Sequence, residues 1–176
     1  TERDAAGGLH HSRMWHAAME RVQYSPVPVI AAVNGVAAGA GANLALAADV
    51  VIAADSASFI QAFTRIGLVP DAGGSYWLPR QIGMARAMGA MLFADKISAR
   101  QAADWGMIYE AVPELEFSAH WRARAAALAA GGAGAHVAFF AIPYDAPAAP
   151  AFSLGASDAA SSTAAVLELG RVLKTQ

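Results

Sequence analysis

Two short stretches bring together residue types that do chemistry. The first is VNGVAAGAGANLALAADVV, residues 33–51, where Gly35, Gly39 and Gly41 bare the backbone just before an alanine- and leucine-rich helical pattern. The second is the Pro-Asp-Ala-Gly-Gly turn of residues 70–74, which puts the carboxyl of Asp71 at or next to the start of another helix. Leu68, Val69, Pro70 and Ala72 are its neighbours in sequence, so a partly desolvated carboxyl with a raised pKa, able to take and return a proton, is one chemical reading. A helix N-cap, the commonest task of an aspartate in that place, is the other. The helix dipole favours the ionised form and opposes the raised pKa. The glycine run also has two readings. Its glycines serve φ > 0 and close strand-to-helix packing, or they cradle a dinucleotide. The second fits poorly, because Gly35, Gly39 and Gly41 do not make GxGxxG.

Other candidates are weaker. His10, His11 and His16 lie on a polar opening segment with no matching carboxylate spacing, so they are expected in solvent and no metal site is expected. Asp49, at the mouth of a buried strand, reads as a hydrogen-bonded structural residue. His120 and His136 carry no signal.

The elements that must position these groups follow from periodicity. Met14, Trp15, Ala18, Met19 and Val22 recur at three- and four-residue spacing and predict a helix over 12–22, closed by Pro26 and Pro28. VPVIAAV (27–33) is an apolar, β-branched run expected of a strand covered on both faces. A helix is expected at 44–48 and a second buried strand at 49–54, giving a βαβ-like unit around the glycine turn. SASF (56–59) reads as a short extended piece. Helices are expected after the 70–74 turn, at 84–93 and at 98–105, the last with Ser98 as N-cap and Gly106 as stop. A strand is expected at 107–112 and a helix at 120–130. Residues 131–165, dense in Ala, Gly, Pro and Ser, are expected to be irregular, and 166–174 to be helical.

Composition narrows the class of function. Twelve basic against 14 acidic side chains leave a net charge of −2, without the positive excess that nucleic acid would require. The absence of cysteine excludes disulfides, thiolate metal sites and a cysteine nucleophile, and is compatible with a reducing cytosol. No window approaches 18 uninterrupted apolar residues and no signal-like start is visible, so a soluble cytoplasmic protein without a membrane partner is expected. With 56% hydrophobic and only 15% charged residues, apolar surface is expected to remain for a subunit interface.

With these elements placed, residues 26–112 resemble the crotonase superfamily, the enoyl-CoA hydratases and isomerases. The Asn-Gly-x-Ala-x-Gly-x-Gly turn, the Pro-Asp-x-Gly-Gly turn and the Ile-Ser-Ala-x-x-Ala-x-x-Trp-Gly helix stand in the family's order and at its spacing. Within it, GAGANLALA and GLVPD are most similar to the 1,2-epoxyphenylacetyl-CoA isomerases of phenylacetate breakdown. The resemblance implies an α/β, crotonase-like spiral of ββα units, with a core over 1–114 and a C-terminal helical or irregular region over 115–176. It implies a coenzyme A thioester as substrate, with coenzyme A present as part of that substrate and no covalently bound cofactor. A homotrimer or dimer of trimers is also implied.

The same resemblance assigns roles. It places an oxyanion-hole donor on the Ala40 N–H, with Gly39 and Gly41 keeping the turn clear, because an enolate oxygen is best held by fixed backbone amides. It places the acid/base on Asp71. Hydratases of the family carry two glutamates where this chain has Asn43 and Phe63, and neither an amide nor a phenyl ring can take a proton from water, so isomerisation is favoured over hydration. Asn43, Gly73 and Gly74 are expected to line the substrate. Phe63 and Trp77 are expected to form an apolar acyl pocket, or else to be plain core aromatics. Family members have a further N-terminal stretch that supplies a second oxyanion donor and nucleotide contacts; a fragment, or a truncated member that binds thioesters without turning them over, is the alternative expectation. A dehalogenase- or thioesterase-like reading would make Asp71 a nucleophile.

Overall fold

The computed structural model of the chain describes residues 5–131 and 136–140. In chain order it runs α1 (Ala5–Gln23), β1 (Val29–Val33), β2 (Val36–Ala38), α2 (Ala40–Leu46), β3 (Val50–Ala54), β4 (Ser58–Ile60), a 3-10 turn over Ala62–Ile66, α3 (Gly74–Phe93), β5 (Ile97–Ser98), α4 (Ala99–Asp104), β6 (Glu110–Val112), α5 (Glu114–Ala130) and β7 (His136–Phe140).

β1 is organised by burial on both faces, and all five of its residues are buried. Its alternate side chains go opposite ways, as a period of two requires. Val29, Ala31 and Val33, with Val51 and Ala53 of β3, face a cluster built with Leu44, Leu46, Phe59, Leu78 and Ile82. Ile30, Ala32, Ile52 and Ala54 face Phe117, Trp121 and Ala125 of α5. The sheet is parallel throughout, in the order β6-β3-β1-β7, which is why its central strands read as unbroken apolar runs. Ile30, Leu44, Leu46, Ile52, Phe59 and Leu78, each at most 1% exposed, contribute about 1.5–3 kcal/mol apiece by leaving water. A second, three-stranded sheet, β2-β4-β5, crosses the glycine turn and pairs β4 antiparallel with β5.

Several boundaries differ from expectation for local reasons. α2 begins at Ala40 instead of 44, since nothing in GAGA obstructs a helix once Gly39 has made the turn. Between Gly35 and Gly39 lies β2, which has a single buried residue, Ala37, and so no apolar run to announce it. The two helices expected between 74 and 93 meet at Gly83, whose φ of 76° and ψ of 160° kink α3. Ser98 caps α4 as expected, its Oγ accepting from Gln101 N at 3.2 Å. β6 starts three residues late because Gly106 turns in the left-handed region and the amides of Met107 and Ile108 fold back to Ala102 O. α5 begins at 114, and its Phe117 and Trp121 share a core with the sheet.

Residues 136–140, expected to be irregular, form β7 beside β1. The helix expected at 166–174 lies outside the described residues. Among the described residues no helix is long and apolar enough to cross a membrane.

Candidate active site

Gly39 is the pivot of the first turn. Its φ of 53° and ψ of −125° suit a residue without a Cβ, and its N–H donates to Ile60 O at 2.8 Å, fixing the turn to β4. The first helical bond runs from Asn43 N to Gly39 O at 3.1 Å, which leaves the N–H groups of Ala40, Gly41 and Ala42 without intrahelical acceptors. A Cβ built on Gly41 would meet nothing within 4 Å, so the side of that residue away from the backbone is open. One built on Gly39 would lie 3.5 Å from the Phe63 ring, which therefore rests against the turn while itself only 6% exposed.

Asp71 opens the second turn. Ala72 (φ 44°) and Gly73 (φ 76°) are both left-handed, and Gly73, with no side-chain bond, caps α3. The helix is tied to Asp71 through the main chain instead, Gly74 N donating to Asp71 O at 2.9 Å. The carboxyl is thus not consumed by capping. Desolvation by the surrounding protein pushes it above its ordinary value, and a bond from its own backbone N–H pulls partly against that. The residue keeps an exposed surface, so the carboxyl is open to a ligand and dried on one side only.

A carboxyl whose folded pKa is raised favours the folded state below its unfolded pKa and loses that contribution as pH rises through the folded value. Ionised Asp71 is therefore a strained group at neutral pH. Asp71→Asn is expected to melt at or above the wild-type temperature at pH 7, the advantage disappearing as pH falls below the ordinary carboxylate range. Thermal melts from pH 3 to 8 check this; a variant less stable than wild type at pH 7 would contradict the raised pKa.

Asn43 joins the two turns. Expected against substrate, it is instead completely buried, with both ends of its carboxamide occupied: Nδ2 donates to Asp71 O at 2.8 Å and Oδ1 accepts from Gln61 Nε2 at 2.8 Å. Gly74, also expected to line the ligand, is buried over that amide, and a Cβ there would stand 2.4 Å from Asn43 Nδ2. Trp77, one turn into α3, places its indole N–H against Gly73, where a Cβ would lie 2.8 Å from Nε1; that N–H is buried and has no partner among the described residues. Gln61 is the residue that sequence reasoning missed. Its only signal is a polar side chain set between the apolar ends of β4 and the 3-10 turn. Asp49, as expected of a structural residue, accepts from Val29 N at 2.8 Å through Oδ2.

A parallel sheet wound through short helices, with a bare helix start on one turn and one carboxylate on the next, defines the crotonase-like fold, and solved structures agree. An enoyl-CoA hydratase from Bacillus anthracis superposes with a TM-score of 0.69 at 37% identity, over 72% of this chain and 49% of that one. An enoyl-CoA hydratase from Mycobacterium avium subsp. paratuberculosis gives 0.66 at 36%, over 70% and 51%. The family model described as enoyl-CoA hydratase/isomerase matches residues 9–153. The chain belongs to that family. Among its relatives, a protein of Rhodobacter capsulatus named a probable enoyl-CoA hydratase is 68% identical over 120 residues, covering 68% of this chain and 47% of the relative. The 1,2-epoxyphenylacetyl-CoA isomerase of Escherichia coli is 52% identical over 107 residues, covering 61% and 41%. The chain spans about half the length of the curated relatives it matches.

Proposed function

We propose that the protein isomerises a coenzyme A thioester through an enolate, with Asp71 as the acid/base and the Ala40 N–H as an oxyanion donor. The observation that carries this reading is that Asp71 is the single carboxyl the described residues place at the two turns. Asp71 is open and its pKa is raised, while the two positions at which hydratases keep glutamates hold a buried amide and a buried phenyl ring, Asn43 and Phe63. One carboxyl suffices for a proton shift: it takes a proton from the carbon next to the thioester carbonyl, the electron pair delocalises onto the carbonyl oxygen, and the proton returns further along the chain. Nothing is gained or lost, so no redox or covalent cofactor is called for; coenzyme A enters with the substrate. A 3-enoyl thioester becoming a 2-enoyl thioester fits these steps, and a ring-epoxide of phenylacetyl-CoA is the aromatic counterpart, supported by the likeness to the E. coli isomerase. Phe63 and Trp77 are the side chains proposed to meet the acyl group.

Hydration is the second reading, favoured by the name of the R. capsulatus relative. Assembly into trimers, or a dimer of trimers, remains part of the proposal, supported by Met84, Met88 and Leu92, which leave an exposed apolar stripe at four-residue spacing on α3.

Proton exchange tests the proposal. Phenylacetyl-CoA or a 3-enoyl-CoA is incubated with the protein in D₂O and the α-protons are followed by NMR, with crotonyl-CoA hydration assayed in parallel. Deuterium uptake with no hydration supports the isomerase; rapid hydration would replace it with the second reading. Tight thioester binding without exchange would leave a non-catalytic binding protein, and a covalent adduct on Asp71 would make that residue a nucleophile.

A further inference from the structure

We infer that Asn43 is a positioning residue, whose carboxamide sets the place of Asp71 relative to the Ala40 amide. The inference rests on the reading of Asp71 as the base. α2 carries both partners of the arrangement: Ala40 is its first residue and Asn43 lies one turn on. Through Nδ2 that helix holds the main-chain oxygen of Asp71 at 2.8 Å. Among the described residues no side chain bonds the Asp71 carboxyl, so the main chain beneath it is what places it.

The direction of the amides shows which bond is being protected. A carbonyl oxygen can only accept, so Asn43 must turn its NH₂ towards Asp71 and its Oδ1 towards Gln61. Gln61 must then donate Nε2, at 2.8 Å, which leaves its own Oε1 buried and without a partner. Flipping either amide would set oxygen against oxygen. The chain Gln61 to Asn43 to Asp71 thus has one polarity, fixed from the Asp71 end, and the unpaired oxygen is left at the end farthest from the carboxylate. Gly74 completes the seat. Because it has no Cβ, the 71–74 turn lies directly on the carboxamide, where a methyl would come within 2.9 Å of three of its atoms.

Two variants test this, each assayed for α-proton exchange beside wild type and Asp71→Asn. In Asn43→Ala the turn loses its anchor, and a shift of the base by about 1 Å is expected to lower kcat on the order of 10²-fold with KM nearly unchanged. Asn43→Asp is isosteric and serves if the alanine variant does not fold. Protonated, its O–H donates to Asp71 O and its carbonyl accepts from Gln61; ionised, it can only accept, and it would stand beside the Asp71 carboxylate. Its rate is therefore expected to gain a descending limb on the alkaline side that wild type lacks.

Wild-type kcat in Asn43→Ala would overturn the inference, and so would an Asn43→Asp profile identical to that of wild type. Parallel losses in kcat, thioester affinity and melting temperature would overturn it as well, by showing a merely structural role. Exchange in wild type that disappears in Asp71→Asn establishes the base independently, so those results would sink the role of Asn43 alone. Full exchange in Asp71→Asn would remove both.

Discussion

Asp71→Asn is expected to reduce α-proton exchange by about 10²–10⁴-fold while leaving thioester affinity within a few-fold of wild type. Asparagine has the shape of the aspartate and no capacity to take the proton. The turn is held by the main-chain oxygen of residue 71, which accepts from Gly74 N and Asn43 Nδ2, and neither bond involves the side chain being changed. Binding and chemistry should therefore separate. Rates measured by NMR exchange and affinities by calorimetry decide the matter: a variant with full activity would sink Asp71 as the base, and a variant that binds no thioester would move the residue from chemistry to recognition.

Ala40→Pro tests the other half of the proposed machinery. Proline at the first position of a helix loses only an N–H that has no intrahelical acceptor, and its φ already suits the helix. Gly39 before it has no Cβ for the ring to strike. What the substitution removes is the donor itself, and loss of one such donor is expected to lower kcat by about 10²–10³-fold. Ala40→Gly, which keeps the amide, should retain most of the rate. If the proline variant is folded by circular dichroism and reacts at the wild-type rate, the Ala40 amide is not the oxyanion donor.

The sequence made the framework legible where one physical cause dominated. VPVIAAV was expected to be a strand buried on both faces, and the structure buries all five residues from Val29 to Val33. Ser98 announced α4, and the break between two helical patterns appeared as the kink at Gly83. Short pieces were lost because each has too few buried residues to set a period, as with β2 and its single Ala37. At the site, the carboxyl of Asp71 and the bare turn around Gly39 could be picked out by residue type, with two readings each until the family resemblance gave them roles. The tie between them was not. Asn43 stood out as a missing glutamate, which marks an absence, whereas its use depends on meeting an oxygen 28 residues away and an amide 18 residues away. Gln61 went unnoticed because burial of a polar side chain has no sequence signature until its partner is known.

The strand pair on which the glycine turn rests has a consequence for how the molecule assembles. Val29 and Asp49, bonded at the mouth of β1 and β3, are 20 residues apart, and α2 crosses between these strands. Such a local unit is expected to close early and to open late. The turn bearing Asp71 is added to that unit across a longer loop, through amide side chains. Each rare local opening would then separate the carboxylate from the oxyanion amides while leaving the latter formed. Amide exchange slower over 43–46 than over 72–75 would be its trace; equal protection would mean that both halves of the site rise and fall together.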